Sequence, residues 1–183
     1  MSGITIIEQC SPTLAGIKTA NLFTARFSSL EEERKEIRHL NRILQRKGIR
    51  AISVGRQKNR TLIYLYRPAY LKKDFSNAFA ADILREKGYS PEDPAKCIVQ
   101  LIRHLASDGE FPHEIGLFLG YPPVDVRGFM NNTREGVQYA GYWKVYGNKE
   151  LAEKTFQEYR DCTKQFLRLY QNGVSLTQLA VMG

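Results

Sequence analysis

Several features that mark common classes of protein are missing from this sequence. No window approaches the roughly 18 uninterrupted apolar residues that a membrane-spanning helix needs, although 43% of the 183 residues are hydrophobic. The first positive charge is Lys18, and the apolar run before it is too short for a secretory signal. These absences predict a cytoplasmic protein that does not associate with membranes.

Cysteine is scarce, and the cysteines lie far apart. Cys10, Cys97 and Cys162 are an odd number and lack the close pairing of a zinc site or a redox motif. Cys97 and Cys162 fall on the apolar faces of predicted helices, where a thiol behaves as a small hydrophobic side chain. We therefore expect neither a disulfide framework nor a metal site.

Motifs for nucleotide binding and for nucleophilic catalysis are missing as well. The glycines follow neither G-x-G-x-x-G nor the Walker pattern, and no G-x-S-x-G occurs. The cofactor is therefore unknown from the sequence. Ten Tyr and nine Phe would suit a flat apolar cofactor such as a flavin or haem, with His113 as an axial ligand, although aromatic residues more often form the core.

The residues that are present predict one compact α+β domain over residues 1–183. Ser28 and Ser29, with Glu31 and Glu32 three residues on, form a capping pattern that begins a helix, and Gly48 ends it. Residues 49–56 and 61–67 are β-like runs separated by four polar residues, as in a hairpin.

The rest of the chain supplies further helices and strands. Residues 4–17 fit either a short helix or an extended arm ended by Ser11-Pro12. We predict strands over 19–27 and 137–146, and helices over 74–87, 90–107, 124–131 and 149–171. Residues 112–120 fit either a short helix begun by Pro112, which we favour, or a buried strand. This order predicts a ferredoxin-like β-α-β-β-α-β sandwich with extra helices inserted before the last strand.

Net charge is +8, and one segment carries most of it. Between residues 50 and 73 there is no acid, and the basic residues are Arg50, Arg56, Lys58, Arg60, Arg67, Lys72 and Lys73. Cations interleaved with Tyr64, Tyr66 and Tyr70 are typical of proteins that bind single-stranded nucleic acid. The same cations could instead keep an exposed hairpin edge soluble or meet an acidic protein partner.

A second candidate site lies in residues 111–144, where prolines and glycines set the chain path. Turn-rich segments of this kind often bind ligands, and Arg127 with Lys144 would suit an anion. The candidate ligand-binding residues are His113, Glu114, Tyr121, Asp125, Arg127, Tyr142 and Lys144. The alternative is structural, with Asp125 capping a short helix and Arg127 paired with an acid.

His113 and Glu114 could form a proton-transfer pair, but neighbouring residues diverge on a helix. Position 117 is Leu, so no HExxH zinc motif follows. Glu114 would also be favoured as an acid in the first turn of a helix.

The sequence contains three short motifs, HEIGLFLGYP, DVRGF and GYWKVYG. It also contains ANLF at residues 20–23 and a long amphipathic helix that ends near residue 171. Through these motifs the chain resembles a family of small cytosolic proteins from clostridial anaerobes, known as a domain of unknown function. The resemblance implies one compact domain and brings no catalytic residues.

Together these features predict a non-catalytic binding protein. Its partner would be a small anionic or aromatic ligand, or another protein, held by residues 111–144. Nucleic-acid binding through residues 50–73 is the first alternative, and an enzyme acting through His113 and Glu114 is the second. The sequence does not indicate an oligomeric state.

Overall fold

The computed structural model describes residues 2–57, 60–107, 111–131 and 136–183. The chain forms two compact units: unit 1 is Met1–Tyr70 with Asp161–Gly183, and unit 2 is Leu71–Arg160. Unit 1 is therefore built from two separate stretches of sequence, and unit 2 from one. Within the described residues, no helix combines the length and the apolar character needed to cross a membrane.

Helices and strands are both present, as the α+β prediction requires. The helices are α1 (Gly3–Leu14), α2 (Leu30–Leu44, extended by a 3-10 turn at Gln45–Lys47), α3 (Pro68–Phe75), α4 (Ala78–Glu86), α5 (Pro94–Ala106), α6 (Ile115–Phe118), α7 (Pro123–Met130), α8 (Lys149–Gln171) and α9 (Leu176–Leu179). The strands are β1 (Ala20–Ala25), β2 (Arg50–Gln57), β3 (Arg60–Tyr66), β4 (Tyr139–Ala140) and β5 (Lys144–Val145).

The sheet of unit 1 is antiparallel, with its three strands in the order β1-β3-β2. Tyr66 of β3 lies opposite both Ala20 of β1 and Arg50 of β2. The predicted β2–β3 hairpin is confirmed, and its connection at residues 58 and 59 lies outside the described residues. The ferredoxin-like order is not confirmed.

The predicted strand over 137–146 is wrong as a single strand. The backbone N–H of Gly141 donates to the carbonyl oxygen of Trp143 at 3.0 Å, which reverses the chain. Ala140 consequently pairs with Lys144, and β4 and β5 form a two-stranded sheet of their own in unit 2. A tight hairpin keeps the period-two alternation of a strand, so the pattern alone does not reveal the reversal.

One face of the three-stranded sheet is buried in the main hydrophobic core of unit 1. Ile63 and Leu65 of β3 belong to this core together with Phe23 of β1, as the alternation of β3 predicts. Helices α1, α2 and α9 contribute Ile6, Ile7, Leu14, Leu40, Leu44, Leu176 and Leu179. Tyr64, on the other face of β3, is also fully buried.

Arg67 is a buried cation at the end of β3, with 1% of its surface exposed. Its guanidinium donates to the main-chain oxygens of Thr13, Leu14 and Val181 at 2.7, 2.9 and 3.0 Å, and to that of Lys47 at 3.1 Å. Since a buried carbonyl without a donor costs about 1–3 kcal/mol, Arg67 holds three separate segments of unit 1 together.

The capping signals of α2 and α8 are confirmed. Ser29 Oγ accepts from the Glu32 backbone N–H at 3.1 Å, and the Glu32 carboxylate accepts from Ser28 N–H at 2.6 Å. Gly48 ends the 3-10 turn with a φ of 71°, a left-handed conformation that favours glycine. The N-cap of α8 is Asn148, whose side chain accepts from Leu151 N–H at 2.9 Å.

Three other helix predictions need correction. Helix α5 begins at Pro94 with Asp93 as its N-cap, not at Ser90, because Asp93-Pro94 repeats the cap-plus-proline signal of Ser90-Pro91 one turn later. The predicted helix over 74–87 is two helices, since Asn77 caps α4. Residues 4–17 are helical only as far as Leu14, and α1 continues past Pro12, so the alternative of an extended arm ended by Ser11-Pro12 is wrong.

Candidate functional site

Unit 2 contains a cavity of about 440 Å³, a size typical of small-molecule sites. It lies among the segment before α6, helices α6 and α7, and the β4–β5 hairpin. Its lining consists of Phe111, His113, Ile115, Gly116, Tyr121, Asp125, Val126, Phe129, Ala140, Gly141, Tyr142, Trp143 and Lys144. Most of these side chains are apolar or aromatic.

Five of the seven predicted ligand-binding residues line this cavity, namely His113, Tyr121, Asp125, Tyr142 and Lys144. Glu114 and Arg127 are not among its lining residues. The structure therefore brings most of the predicted polar residues to one place, even though they come from separate segments.

Asp125 attaches the hairpin to helix α7. Its carboxylate is buried and accepts from Trp143 Nε1 at 2.7 Å and from the backbone N–H groups of Tyr146 and Gly147 at 2.8 Å each. Both carboxylate oxygens are thus already engaged by donors of the protein. The predicted cap on α7 is wrong, because its N-cap is Pro122 without a side-chain hydrogen bond. Asp125 instead holds the hairpin, and with both oxygens engaged its carboxylate is a poor candidate for a general base.

Stacked aromatic rings form one wall of the cavity. Tyr121 and Trp143 stack with ring centroids 4.6 Å apart, and Trp143 meets Phe156 edge to face at 4.4 Å. Burial raises the pKa of the Tyr121 phenol to about 12, so the hydroxyl keeps its proton and donates to the Tyr142 carbonyl oxygen at 3.4 Å.

Two glycines allow the close packing behind the lining. A Cβ on Gly141 would lie 2.4 Å from carbons of the Phe156 ring, and one on Gly116 would lie 2.8 Å from Val126 Cγ2. Gly116 thus lets α7 approach α6 closely.

His113 and Lys144 are polar side chains that lie next to the Phe129 ring in the cavity. The imidazole of His113 meets the Phe129 ring edge to face at 4.7 Å, and Lys144 Nζ lies 5.2 Å from the centre of the same ring. His113 and Lys144 are both exposed. Within residues 2–57, 60–107, 111–131 and 136–183, no carboxylate forms an ion pair with Lys144.

Glu114 has different surroundings from His113. Its buried carboxylate accepts from the Tyr89 hydroxyl at 2.8 Å and lies 3.4 Å from His104 Nδ1, while the Tyr89 hydroxyl lies 2.8 Å from that nitrogen. Burial and then the charge of Glu114 raise the pKa of Tyr89, so Tyr89 acts as the donor. The structure thus places His113 and Glu114 in separate environments and joins Glu114 to His104.

Arg127 is held by an acid on another helix. Its Nη1 and Nη2 donate to the two oxygens of Glu86 on α4 at 2.6 and 2.8 Å. This bidentate pair matches the predicted structural alternative for Arg127.

The cations of the basic segment have different roles in the structure. Arg56 forms an ion pair with the buried Glu33, which also accepts from Thr61 Oγ1 at 2.8 Å. Arg67 is buried, and Lys58 lies outside the described residues. Exposed cations are Arg50, Arg60, Lys72 and Lys73, of which the first two belong to unit 1 and the last two to unit 2.

Sequence reasoning missed the apolar part of the lining, above all Phe111, Phe129 and Trp143. Phe111 and Phe129 are 47% and 36% exposed and lie together in the cavity wall. The one signal in the sequence was that Trp143 is the only tryptophan and lies within the candidate segment.

Metal and thiol chemistry find little support in the part of the chain that is described. No group of three or more His, Cys, Asp or Glu side chains there is placed to hold a metal ion. Cys10 and Cys97 are buried, and burial raises the pKa of Cys97 to about 11.

Comparison with known proteins gives one match. The family described as "Protein of unknown function (DUF3793)" matches residues 6–180. No curated protein and no solved structure matches the chain.

Proposed function

Because the chain belongs to the family DUF3793, whose description names no activity, we propose its function from the site alone: the cavity of unit 2 binds a small aromatic ligand without converting it. The observation that carries this proposal is the lining, in which the stacked Tyr121 and Trp143 rings stand with the exposed rings of Phe111, Phe129 and Tyr142. Aromatic and apolar linings with few polar groups are typical of small-molecule sites.

A binding role also agrees with the polar groups of the lining. Asp125 already accepts three hydrogen bonds from the protein. Tyr121 keeps its proton at neutral pH because burial raises its pKa to about 12. His113 and Lys144 remain to orient a ligand rather than to form a catalytic pair with Glu114.

The neutral dye N-phenyl-1-naphthylamine tests this proposal, because its fluorescence increases in apolar cavities. Trp143, the only tryptophan, lines the cavity, so excitation of its indole should produce dye emission by energy transfer. We expect saturable binding with a micromolar dissociation constant and a rise in the melting temperature on binding.

A variant that fills the cavity provides the control. Ala140 is an exposed lining residue, so Ala140→Phe should weaken dye binding at least about tenfold by taking up the space. Ala78→Phe places the same ring at an exposed position on α4 outside the lining and should leave binding unchanged. Equal binding by all three proteins, or no saturable binding, would contradict the proposal and favour a protein partner or the basic segment.

A further inference from the structure

Lys144 is an exposed cation in the wall of an otherwise aromatic cavity. Its ammonium lies 5.2 Å from the centre of the Phe129 ring, and within the described ranges of the chain no carboxylate pairs with it. Some other cations of unit 2 form ion pairs, among them Arg127 with Glu86 and Arg85 with Glu92. A lysine without an acidic neighbour can pair with an anionic group of a ligand.

The acid in the lining does not compete for this cation. Asp125 accepts from Trp143 Nε1 and from two backbone N–H groups, and it forms no ion pair with Lys144 within the described residues. The Asp125 carboxylate is thus held by donors of the protein, and the Lys144 ammonium is available to a molecule that enters the cavity.

Phe129 lies next to the charged Lys144 and also belongs to the aromatic lining of the cavity. His113 and Lys144 both contact this ring, so the imidazole and the ammonium lie next to one apolar surface. A ligand with its ring system against the aromatic lining would bring a substituent near Lys144. A carboxylate at that position gains a charge-assisted hydrogen bond that a neutral group does not.

We propose that the cavity selects aromatic carboxylates, with Lys144 as the residue that sets the preference for an anion. This inference rests on the proposed function, because it assumes that aromatic molecules enter the cavity. It adds the ligand's chemical class and a residue that determines specificity.

Equilibrium dialysis with two molecules of nearly the same shape tests the inference. The probes are 1-naphthoate, which is ionised at neutral pH, and its neutral counterpart 1-naphthamide. We expect the wild-type protein to bind the carboxylate about tenfold more tightly than the amide, and Lys144→Met to bind both equally. Lys144→Arg should keep the preference because it keeps the charge.

Lys154→Met is the matched control, since Lys154 is an exposed lysine of α8 outside the cavity lining. It should retain the wild-type preference, and circular dichroism should show that every variant is folded. Because Lys144 is exposed, we expect the variants to fold normally.

The possible results separate this inference from the proposed function. Equal binding of both probes by the wild-type protein would overturn the charge preference and leave aromatic binding intact. A preference that persists in Lys144→Met would overturn the role of Lys144. Absence of binding by both probes and by the neutral dye would overturn the proposed function and this inference with it.

Discussion

Lys18 is a lysine enclosed within unit 1, with 5% of its surface exposed. Its ammonium donates to the carbonyl oxygen of Ala20. Burial lowers the pKa of Lys18 to about 7, and the neighbouring Cys10 opposes this effect only in part. In the sequence Lys18 stands out only as the first positive charge. Nothing in the residues around it predicts that its side chain is buried.

The lowered pKa of Lys18 predicts how stability depends on pH. Between about pH 7 and the unfolded value of 10.5, the unfolded chain holds a proton on Lys18 that the folded chain has released. The free energy of unfolding should therefore rise by about 1.5 kcal/mol from about pH 7 to about pH 8.5. Above about pH 9 the buried thiol of Cys10, whose pKa is raised by burial, opposes the rise.

Urea unfolding at several pH values measures this dependence. Lys18→Met should remove the rise, whereas Lys35→Met, at an exposed position of α2, should keep it. Parallel pH profiles for the wild-type protein and Lys18→Met would refute the assignment.

The polar residues of the cavity were easier to anticipate than the aromatic ones. Carboxylates, lysines and histidines in a turn-rich segment stand out in a sequence because such residues are seldom needed there for packing. Phe129 and Phe111 give no such signal, since an aromatic residue in a core and one in a cavity wall look alike in sequence. The sequence also does not indicate which acid pairs with Arg127, because Glu86 lies 41 residues away.

Among the elements, the β4–β5 hairpin depends most on a single residue. Gly141 lies at its turn and against Phe156, where an added Cβ would be 2.4 Å from the ring. Gly141→Ala should destabilise the protein by about 1–3 kcal/mol, because the ring or the hairpin has to move. The emission of Trp143, which contacts the same ring, should shift as well.

Gly55→Ala is the control for this prediction. Gly55 lies in β2, and a Cβ there would meet nothing within 4 Å, so the change should alter stability by no more than about 0.5 kcal/mol. Equal effects of the two substitutions in urea unfolding would show that Gly141 is not packed as described.

Elements with their own local signals were predicted well, and those fixed by distant contacts were not. Helix α2 carries its cap and its terminating glycine in sequence, and α8 keeps a helical period for most of its length. The chain reversal at Gly141 depends on Phe156, which lies 15 positions later in the chain. The start of α5 was misplaced because two equivalent cap-plus-proline signals compete.

At the scale of the whole molecule, the prediction of a single domain leads to a test of cooperativity. If the two units unfold as one domain, Trp143 in unit 2 should report the same urea midpoint as far-UV circular dichroism. Arg67→Met, which removes the buried donor to four carbonyl oxygens in unit 1, should then lower the midpoint seen by Trp143.

Arg60→Met is the matched control, because Arg60 is an exposed cation at the start of β3, the strand that Arg67 directly follows. It should leave both midpoints unchanged. A change seen by circular dichroism but not by Trp143 in Arg67→Met would mean that the units unfold separately.

The hydrogen bond from Arg67 to Val181 also bears on how the protein is synthesised. These residues are 114 positions apart, so at about 5–20 residues per second the ribosome needs roughly 6–23 s to supply the acceptor after the donor. All of unit 2 is translated within that interval. Unit 1 is therefore completed only after the whole of unit 2 has been synthesised, and until then the Arg67 guanidinium lacks its Val181 acceptor.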